Sequence, residues 1–190
     1  MIDRIFFFAQ IRKLFGKLSR SQVDSLNFLI ERFEESKALT RLSEFAYILA
    51  TIYHETACTM QPIQERGGYN YFKYLIGKLG IKTLAEANKY KGRGYVQLTG
   101  KINYMNFSEL LGIDLMAKPE DAQLPETAWK ILELGMTKGL FTGKKLSDYI
   151  NSRGIDFAQA RRIINGTDRM HQIAGYASIF YDSLEWKSAA

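Results

Sequence analysis

The sequence predicts a mainly α-helical protein with little or no β-sheet. Apolar residues recur at helical spacing through most of the chain, and capping signals or glycines mark where these segments begin and end. The 190 residues, 46% of them hydrophobic, fit one globular domain. No linker rich in Gly, Ser or Pro divides the chain, so we expect a single domain spanning residues 1–190.

The first 40 residues contain two predicted helices that we expect to pack on the rest of the domain. Ser21 and Asp24 form a capping signal for the second helix, and Gly16 weakens a long continuous first helix. An alternative is that the first helix is a basic amphipathic helix that contacts an anionic lipid or cell-wall surface. Its predicted apolar face comprises Phe7, Ile11, Leu14 and Leu18, and its basic residues are Arg12, Lys13, Lys17 and Arg20.

The third predicted helix runs from about Leu42 to Glu55, with Thr40 as its N-cap and Pro62 as the residue that stops it. It ends on a carboxylate, and the negative end of the helix dipole disfavours the ionised form of Glu55 there. A second carboxylate, Glu65, follows ten residues later on a loop. Hydrolysis of a glycosidic bond needs one protonated and one ionised carboxyl group, and these two environments can provide them.

The segment Gly92–Thr99 is predicted to approach a ligand closely. Its glycines remove side chains that would block the approach, and alternation along the segment indicates a short extended piece. Gln97 and Thr99 then point the same way, so an amide and a hydroxyl can hold a water molecule or a sugar hydroxyl.

The remaining helices are predicted from their ends. Thr83 with Glu86 begins a short helix that reaches Lys89. The next helix opens at Asn103 and Tyr104 and ends at Gly112, and a further one runs between Pro125 and Gly139. Near the end of the chain, Asp156 with Gln159 caps a helix that carries Arg161 and Arg162 and stops at Asn165, and Asp168 caps the last helix.

Together these motifs resemble glycoside hydrolase family 19, which comprises chitinases and phage endolysins. The resemblance covers about Ser43 to Leu184, and the size and opening segment are most similar to a phage or prophage endolysin. The motifs that carry it, in chain order, are Tyr53–Thr56, Gln64–Gly68, Gly92–Thr99, Asn103–Tyr104, Phe141–Lys144 and Arg161–Gly166.

The resemblance implies a lysozyme-like helical fold, with a cleft between the Glu55 helix and the Gly92–Thr99 segment. It makes Glu55 the general acid and Glu65 the base. Thr99, at a position where the family commonly has serine, would position the attacking water. One of Arg161 and Arg162 becomes a partner of the catalytic carboxylates. A carboxylate separation of roughly 6.5–9.5 Å and an inverted product would follow. The residues assigned to substrate binding are His54, Tyr95, Gln97, Asn103, Tyr104, Arg162 and Asn165.

No metal or other cofactor is expected. His54 and Glu55 begin a pattern similar to the zinc motif His-Glu-x-x-His, but Cys58 occupies the position of the second histidine. The other histidine, His171, is distant in sequence, so three or four zinc ligands are not signalled. His54 is expected instead to orient Glu55 or a backbone group.

The formal charge of +6 favours an anionic partner. We expect a monomer that acts on peptidoglycan glycan strands, with no nucleic-acid partner and no membrane span. No signal peptide is recognisable, so we expect synthesis in a bacterial host cytoplasm and action on the wall after release. Two alternatives stay open: a chitinase with the same chemistry on an uncharged polymer, and a non-catalytic basic protein that binds nucleic acid or cell wall.

Overall fold

The computed structural model describes residues 1–187, and most of them lie in helices. The chain divides into two compact units. Unit 1 comprises Met1–Met60 and Glu133–Ala190, and unit 2 comprises Gln61–Leu132. The single domain expected over 1–190 stays a prediction, and residues 188–190 of that range lie outside the described part.

The helices and strands of unit 1 are α1 (Arg4–Gln10), α2 (Arg12–Phe15), α3 (Arg20–Glu35), α4 (Leu42–Glu55), α8 (Leu146–Tyr149), β3 (Ile150–Asn151), β4 (Gly154–Ile155), a 3-10 helix (Gln159–Ile163) and α9 (Met170–Asp182). Those of unit 2 are β1 (Ile63–Gln64), a 3-10 helix (Tyr69–Leu75), α5 (Leu84–Lys89), β2 (Arg93–Gly94), α6 (Lys101–Leu111) and a 3-10 helix (Pro119–Gln123). The division between the units falls within α7 (Pro125–Lys138). The fold class is mainly α, as the sequence predicted.

The two sheets in the described part of the chain are small. β1 pairs with β2 in antiparallel register, with Ile63 opposite Gly94. β3 pairs with β4, with Ile150 opposite Ile155, and the sequence did not predict this hairpin. None of the helices within residues 1–187 is long and apolar enough to cross a membrane.

Helix α4 forms the centre of unit 1. Every residue from Ser43 to Tyr53 is buried, and α9 is its main neighbour. The first 40 residues belong to the same core: Phe15 packs edge-on against Tyr53 at 4.8 Å, and Phe33 stacks on Phe45 at 4.4 Å. A helix buried on all sides holds its last residue firmly, which matters because α4 ends at Glu55.

The predicted N-caps of α3 and α4 were wrong by one or two residues. Helix α3 is capped by Ser19, which shares reciprocal hydrogen bonds with Gln22, rather than by Ser21. Helix α4 follows Arg41 rather than Thr40, because the Glu44 carboxylate accepts the N–H groups of both residues at 3.1 Å. A carboxylate in the first turn meets the positive end of the helix dipole, so it can replace a capping hydroxyl.

Helix α4 ends at Glu55 as expected, but the chain leaves the helix at Ala57 and Cys58, with positive φ angles of 49° and 66°, and not at Pro62. One other boundary differs from the sequence prediction. The last helix begins after Arg169, with φ 55°, rather than being capped by Asp168. The first predicted helix is broken into α1 and α2, and Gly16, with φ 62°, ends the second of them.

Unit 2 is built on a small apolar cluster of Phe72, Leu75, Ile81 and Ala87. The segment Tyr95–Gln97 is a turn and not the extended piece that was predicted, and Gln97 has a φ of 53°. Leu98 returns to bridge Arg93, with both backbone hydrogen bonds made. At the start of this turn Gly94 is required, because a Cβ there would lie 2.8 Å from the carbonyl oxygen of Ala122.

Candidate active site

Glu55 lies at the end of a polar line on α4. Tyr47, Thr51 and Glu55 are spaced four residues apart, so they occupy one face of the helix. Tyr47 and Thr51 are fully buried, whereas the Glu55 side chain keeps 17% of its exposure. Burial raises the pKa of the Tyr47 phenol, so this hydroxyl keeps its proton. Smaller effects on this pKa come from Thr51, Arg161, Glu55 and Tyr149.

The partner of Glu55 is Arg161. Its Nη1 donates a hydrogen bond to Glu55 Oε1 at 2.6 Å, and its Nε donates to the carbonyl oxygen of Asp168 at 3.1 Å. The Arg161 side chain is only 2% exposed, so the ion pair is largely shielded from water. The pair agrees with the expectation that one of the two adjacent arginines is a partner of a carboxylate.

Of the two adjacent arginines, Arg161 is the one that pairs with Glu55. The expected substrate contact of Arg162 stays a prediction. Arg162 is exposed, and its Nε donates to Gln159 Oε1 at 2.7 Å. The two residues are consecutive on a 3-10 helix with three residues per turn, so their side chains leave the axis in different directions.

The other predicted residues of unit 1 are His54 and Asn165. His54 is half-buried, and burial is the main reason that its pKa is lowered from 6.5. Glu55 opposes this shift, while Arg161 and Arg169 add to it, so His54 lies within the same charged group. Asn165 is exposed, just after the 3-10 helix that carries Arg161. Substrate contacts by His54 and Asn165 stay predictions.

Glu65, the predicted base, is held at both carboxylate oxygens. The hydroxyl of Tyr74 donates to Oε1 at 2.7 Å, and the backbone N–H of Gly92 donates to Oε2 at 3.3 Å. The backbone N–H of Glu65 also donates to the Gly92 carbonyl at 2.8 Å. Burial, followed by the hydrogen bond to Glu65, raises the pKa of Tyr74, so the phenol remains a donor. These donors stabilise the ionised carboxylate and fix its orientation.

Three side-chain oxygens lie close to Gly92, on the side where any other residue has its Cβ. A Cβ built on this glycine would lie 2.8 Å from Gln97 Oε1, 3.2 Å from Glu65 Oε2 and 3.2 Å from Thr99 Oγ1. The Thr99 hydroxyl donates its proton to the carbonyl of Gln97 at 2.8 Å, so it offers a lone pair towards this point. The arrangement is a cluster of three acceptors so close to the Gly92 Cα that even a methyl group there would displace them.

The turn explains why Gln97 and Thr99 come together despite the wrong prediction of an extended piece. Gln97 Nε2 donates to the carbonyls of Ile63 and Gly94 at 3.1 and 3.2 Å, which directs Oε1 towards Gly92. Asn103 donates from Nδ2 to the Thr99 carbonyl at 2.8 Å and so supports the same turn.

The predicted sugar contacts of Tyr95 and Tyr104 are corrected, because both rings are fully buried in unit 2. The Tyr104 hydroxyl accepts from Arg93 Nη1 and donates to the Lys91 carbonyl, both at 2.9 Å. Burial raises its pKa to about 12. Arg93 also donates to the Lys89 carbonyl at 2.7 Å, so this pair holds the backbone that leads into Gly92.

Metal-ligating side chains do not converge in the part of the chain that the structure describes. No group of three or more His, Cys, Asp or Glu residues there could hold a metal ion. Cys58 is an exposed free thiol.

Comparison with solved structures identifies chitinases with the same fold. Chitinase C from Streptomyces griseus aligns with a TM-score of 0.62 and 23% identity, over 92% of this chain and 74% of that chain. A mutant of chitinase C gives 0.57 and 24% over 90% and 75%, and a bacterial family 19 chitinase gives 0.55 and 20% over 92% of both chains. The chain has the fold of a family 19 chitinase. No protein-family model and no curated protein matched the sequence.

Two contacts of the candidate site residues were not predicted from the sequence. One is the hydrogen bond that the Tyr74 hydroxyl donates to Glu65. Tyr74 follows Glu65 by nine residues, with a glycine pair between them, and this spacing matches neither a helical nor a strand period that would predict the contact. The other is the ion pair of Arg161 with Glu55. The sequence indicated that one of two adjacent arginines pairs with a carboxylate, but it does not show which of them is buried.

Proposed function

We propose that this chain is an endolysin that hydrolyses β-1,4 glycosidic bonds next to N-acetylated sugars in bacterial peptidoglycan. The reaction is a single displacement with acid and base catalysis. The observation that carries the proposal is the set of acceptor oxygens from Glu65, Gln97 and Thr99 around Gly92. We further propose that the protein is made in the cytoplasm of a bacterial host and reaches the wall after release.

The oxygens around Gly92 suit a nucleophilic water molecule. A water in front of Gly92 and within reach of these oxygens donates one proton to Glu65 Oε2 and the other to Gln97 Oε1 or Thr99 Oγ1. With both protons engaged, a lone pair remains for attack on the anomeric carbon. Glu65 then takes the proton as the carbon–oxygen bond forms. The Tyr74 and Gly92 donors hold the Glu65 carboxylate in position before the attack.

Glu55 acts as the general acid in this proposal. Arg161 is bonded to Oε1, so the proton that is transferred to the leaving oxygen belongs on Oε2. As the bond to the leaving group breaks, Glu55 becomes negatively charged, and the buried Arg161 guanidinium stabilises that charge. The ion pair therefore matches the state of Glu55 after proton transfer better than the state before it, which is the direction that catalysis requires.

Peptidoglycan is the substrate favoured by charge. The net charge is +6, and peptide stems carry carboxylates, whereas chitin is uncharged. The second candidate is a chitinase, and the observation in its favour is that the three similar structures described above are chitinases. Both candidates use the same residues in the same roles, so only substrate preference separates them.

The test compares wild type with Glu55→Gln and Glu65→Gln on dye-labelled peptidoglycan and on chitin oligomers. Each substitution should lower the rate by on the order of 10²–10⁴-fold. Glu109→Gln, which changes an exposed glutamate of α6, is the control and should keep the wild-type rate. The thermal midpoint of Glu55→Gln should fall, because Arg161 loses its counter-charge.

A Glu55→Gln variant that keeps more than about a tenth of the wild-type rate would refute the acid assignment, since this lies above the expected range. Faster hydrolysis of chitin oligomers than of peptidoglycan would make the protein a chitinase. Binding to peptidoglycan without hydrolysis of either polymer by wild type would leave a non-catalytic cell-wall protein and end the proposal.

A further inference from the structure

The 3-10 helix Tyr69–Leu75 of unit 2 exposes large aromatic side chains. Phe72 and Leu75 are 0% and 4% exposed and fix the helix on the apolar cluster of this unit. Tyr71 and Tyr74, three residues apart and hence on one face, are 55% and 47% exposed. The Tyr71 and Tyr74 ring centroids lie 5.8 Å apart, with the rings near perpendicular at 74°.

The Tyr71 ring is exposed but has little freedom to move. It packs directly on the backbone of Gly67, where a Cβ would lie 2.4 Å from Cδ1, 2.6 Å from Cγ and 2.9 Å from Cβ of Tyr71. Phe72 contacts it edge-on, with centroids 5.2 Å apart. An exposed aromatic ring that is already ordered loses little side-chain entropy when it binds a ligand.

The same pair of rings is connected to the proposed base. Tyr74 donates its hydroxyl proton to Glu65 Oε1 at 2.7 Å, so the aromatic surface continues directly from the carboxylate. Exposed lysines, Lys73 and Lys78, flank it, and Lys78 Nζ lies 5.7 Å from the centre of the Tyr74 ring. A surface of this kind offers an apolar ring to the CH face of a pyranose and cations to its carboxylate substituents.

We propose that Tyr71, with Tyr74 beside it, forms a sugar-binding subsite that continues from Glu65 and holds the glycan strand by stacking. The inference rests on the proposed function, because its ligand is the same polymer. It assigns the ligand as an N-acetylhexosamine ring of that strand and gives Gly67 the task of seating the Tyr71 ring. Tyr71 is a binding residue, and Tyr74 is both a part of the subsite and a positioning residue for Glu65.

The test uses the two neighbouring glycines as a matched pair. Gly67→Ala must displace the Tyr71 ring, whereas a Cβ on Gly68 meets nothing within 4 Å and its φ of −68° suits alanine. Binding is measured in the Glu55→Gln background, by titration with chitin oligomers and by co-sedimentation with peptidoglycan. KM and kcat are measured in the active background.

Tyr71→Ala and Gly67→Ala should each weaken binding by roughly 5- to 30-fold, the effect of losing an anchoring aromatic side chain, and should raise KM more than they lower kcat. Tyr71→Phe, which keeps the ring, should bind as wild type, and so should Gly68→Ala. In a Tyr71→Ala background Gly67→Ala should have no further effect, because its action depends on the ring that has been removed.

Unchanged binding in Tyr71→Ala would overturn the subsite, and so would a Gly67→Ala effect that persists without the Tyr71 ring. Either result leaves the proposed function standing if wild type still hydrolyses the polymer and Glu55→Gln does not. Conversely, absence of hydrolysis by wild type, with binding that still depends on Tyr71, refutes the proposed function and leaves a sugar-binding surface.

Discussion

Arg161 and Arg162 are adjacent in sequence and opposite in environment. Arg161 is buried against Glu55 and the Asp168 carbonyl, and Arg162 lies in solvent beside Gln159. Removal of one member of a buried ion pair leaves a charge without its partner, which costs far more than the loss of an exposed charge. The two arginines therefore provide an internal comparison.

Arg161→Gln should lower the free energy of unfolding by about 3 kcal/mol, since it leaves Glu55 unpaired in a largely buried position. Arg162→Gln should change it by less than about 0.5 kcal/mol, as is usual for an exposed residue. Urea denaturation measures both, and the rate on peptidoglycan should fall for Arg161→Gln alone. Equal effects of the two substitutions would contradict the assignment of Arg161.

His54 should make stability depend on pH. In the folded state the pKa of His54 lies below 6.5, its value in the unfolded chain, and burial is the largest cause of this shift. Between these two pKa values the unfolded state binds more protons than the folded state. The contribution of His54 to stability is therefore fully present above pH 6.5 and is lost as the pH falls through the pKa of the folded state. The thermal midpoint of wild type should therefore fall more steeply from pH 7 to pH 5 than that of His54→Gln.

The control for this comparison is His171→Gln, which removes the exposed histidine of α9 and should keep the wild-type pH dependence. If His54→Gln has the same slope as wild type, the half-buried environment of His54 does not contribute to stability in this range.

At the scale of elements, the Gly92–Thr99 turn provides the sharpest test. Gly92→Ala places a Cβ 2.8 Å from Gln97 Oε1 and 3.2 Å from Glu65 Oε2 and Thr99 Oγ1, so it must displace the oxygens that are proposed to hold the water. The rate should fall by about 10²-fold or more, the loss expected when a base and its water are misaligned. Circular dichroism and the thermal midpoint check that the variant is folded.

Gly175→Ala is the matched control. Gly175 lies within α9, is exposed, and a Cβ there meets nothing within 4 Å. Alanine should raise stability by about 0.5–1 kcal/mol because of its better helix propensity, with an unchanged rate. A Gly92→Ala variant that is folded and as active as Gly175→Ala would show that the three oxygens around Gly92 hold no catalytic water.

The elements that the sequence predicted well carry local signals. Helix α4 has the bounds expected from its apolar spacing, α5 begins after Thr83, and α6 ends at Gly112 with φ 65°. The turn at Tyr95–Gln97 was missed, because the Gln97 side chain is held by the carbonyl of Ile63, which is distant in the chain. The β3–β4 hairpin was missed, because strands of two residues are too short to show an alternating pattern. The motif residues Glu65, Gln97 and Thr99 were identified, but their convergence at Gly92 required the turn.

At the scale of the whole molecule, the charge is unevenly distributed. The segment 66–91, which follows Glu65, contains six basic residues and one acidic residue, while the net charge of the chain is +6. This segment also contains the Tyr71 and Tyr74 surface. Its charge should attract carboxylates of a polymer that reaches Glu65, and salt should screen that attraction.

We therefore expect faster cleavage of purified peptidoglycan than of chitin oligomers, with a peptidoglycan rate that falls as salt rises from low to above physiological concentration. The rate on chitin oligomers, which carry no charge, should change little and serves as the control. If salt leaves the peptidoglycan rate unchanged, electrostatic attraction does not contribute to substrate capture.

The central claim is that a water held at Gly92 by Glu65, Gln97 and Thr99 attacks the anomeric carbon directly. The stereochemistry of the first product tests this claim, and proton NMR of a fresh digest, recorded before mutarotation, measures it. A direct attack by water on a β-linked sugar predicts that the α-anomer appears first. Initial formation of the β-anomer would indicate a covalent intermediate and would contradict the role of Glu65 as the base.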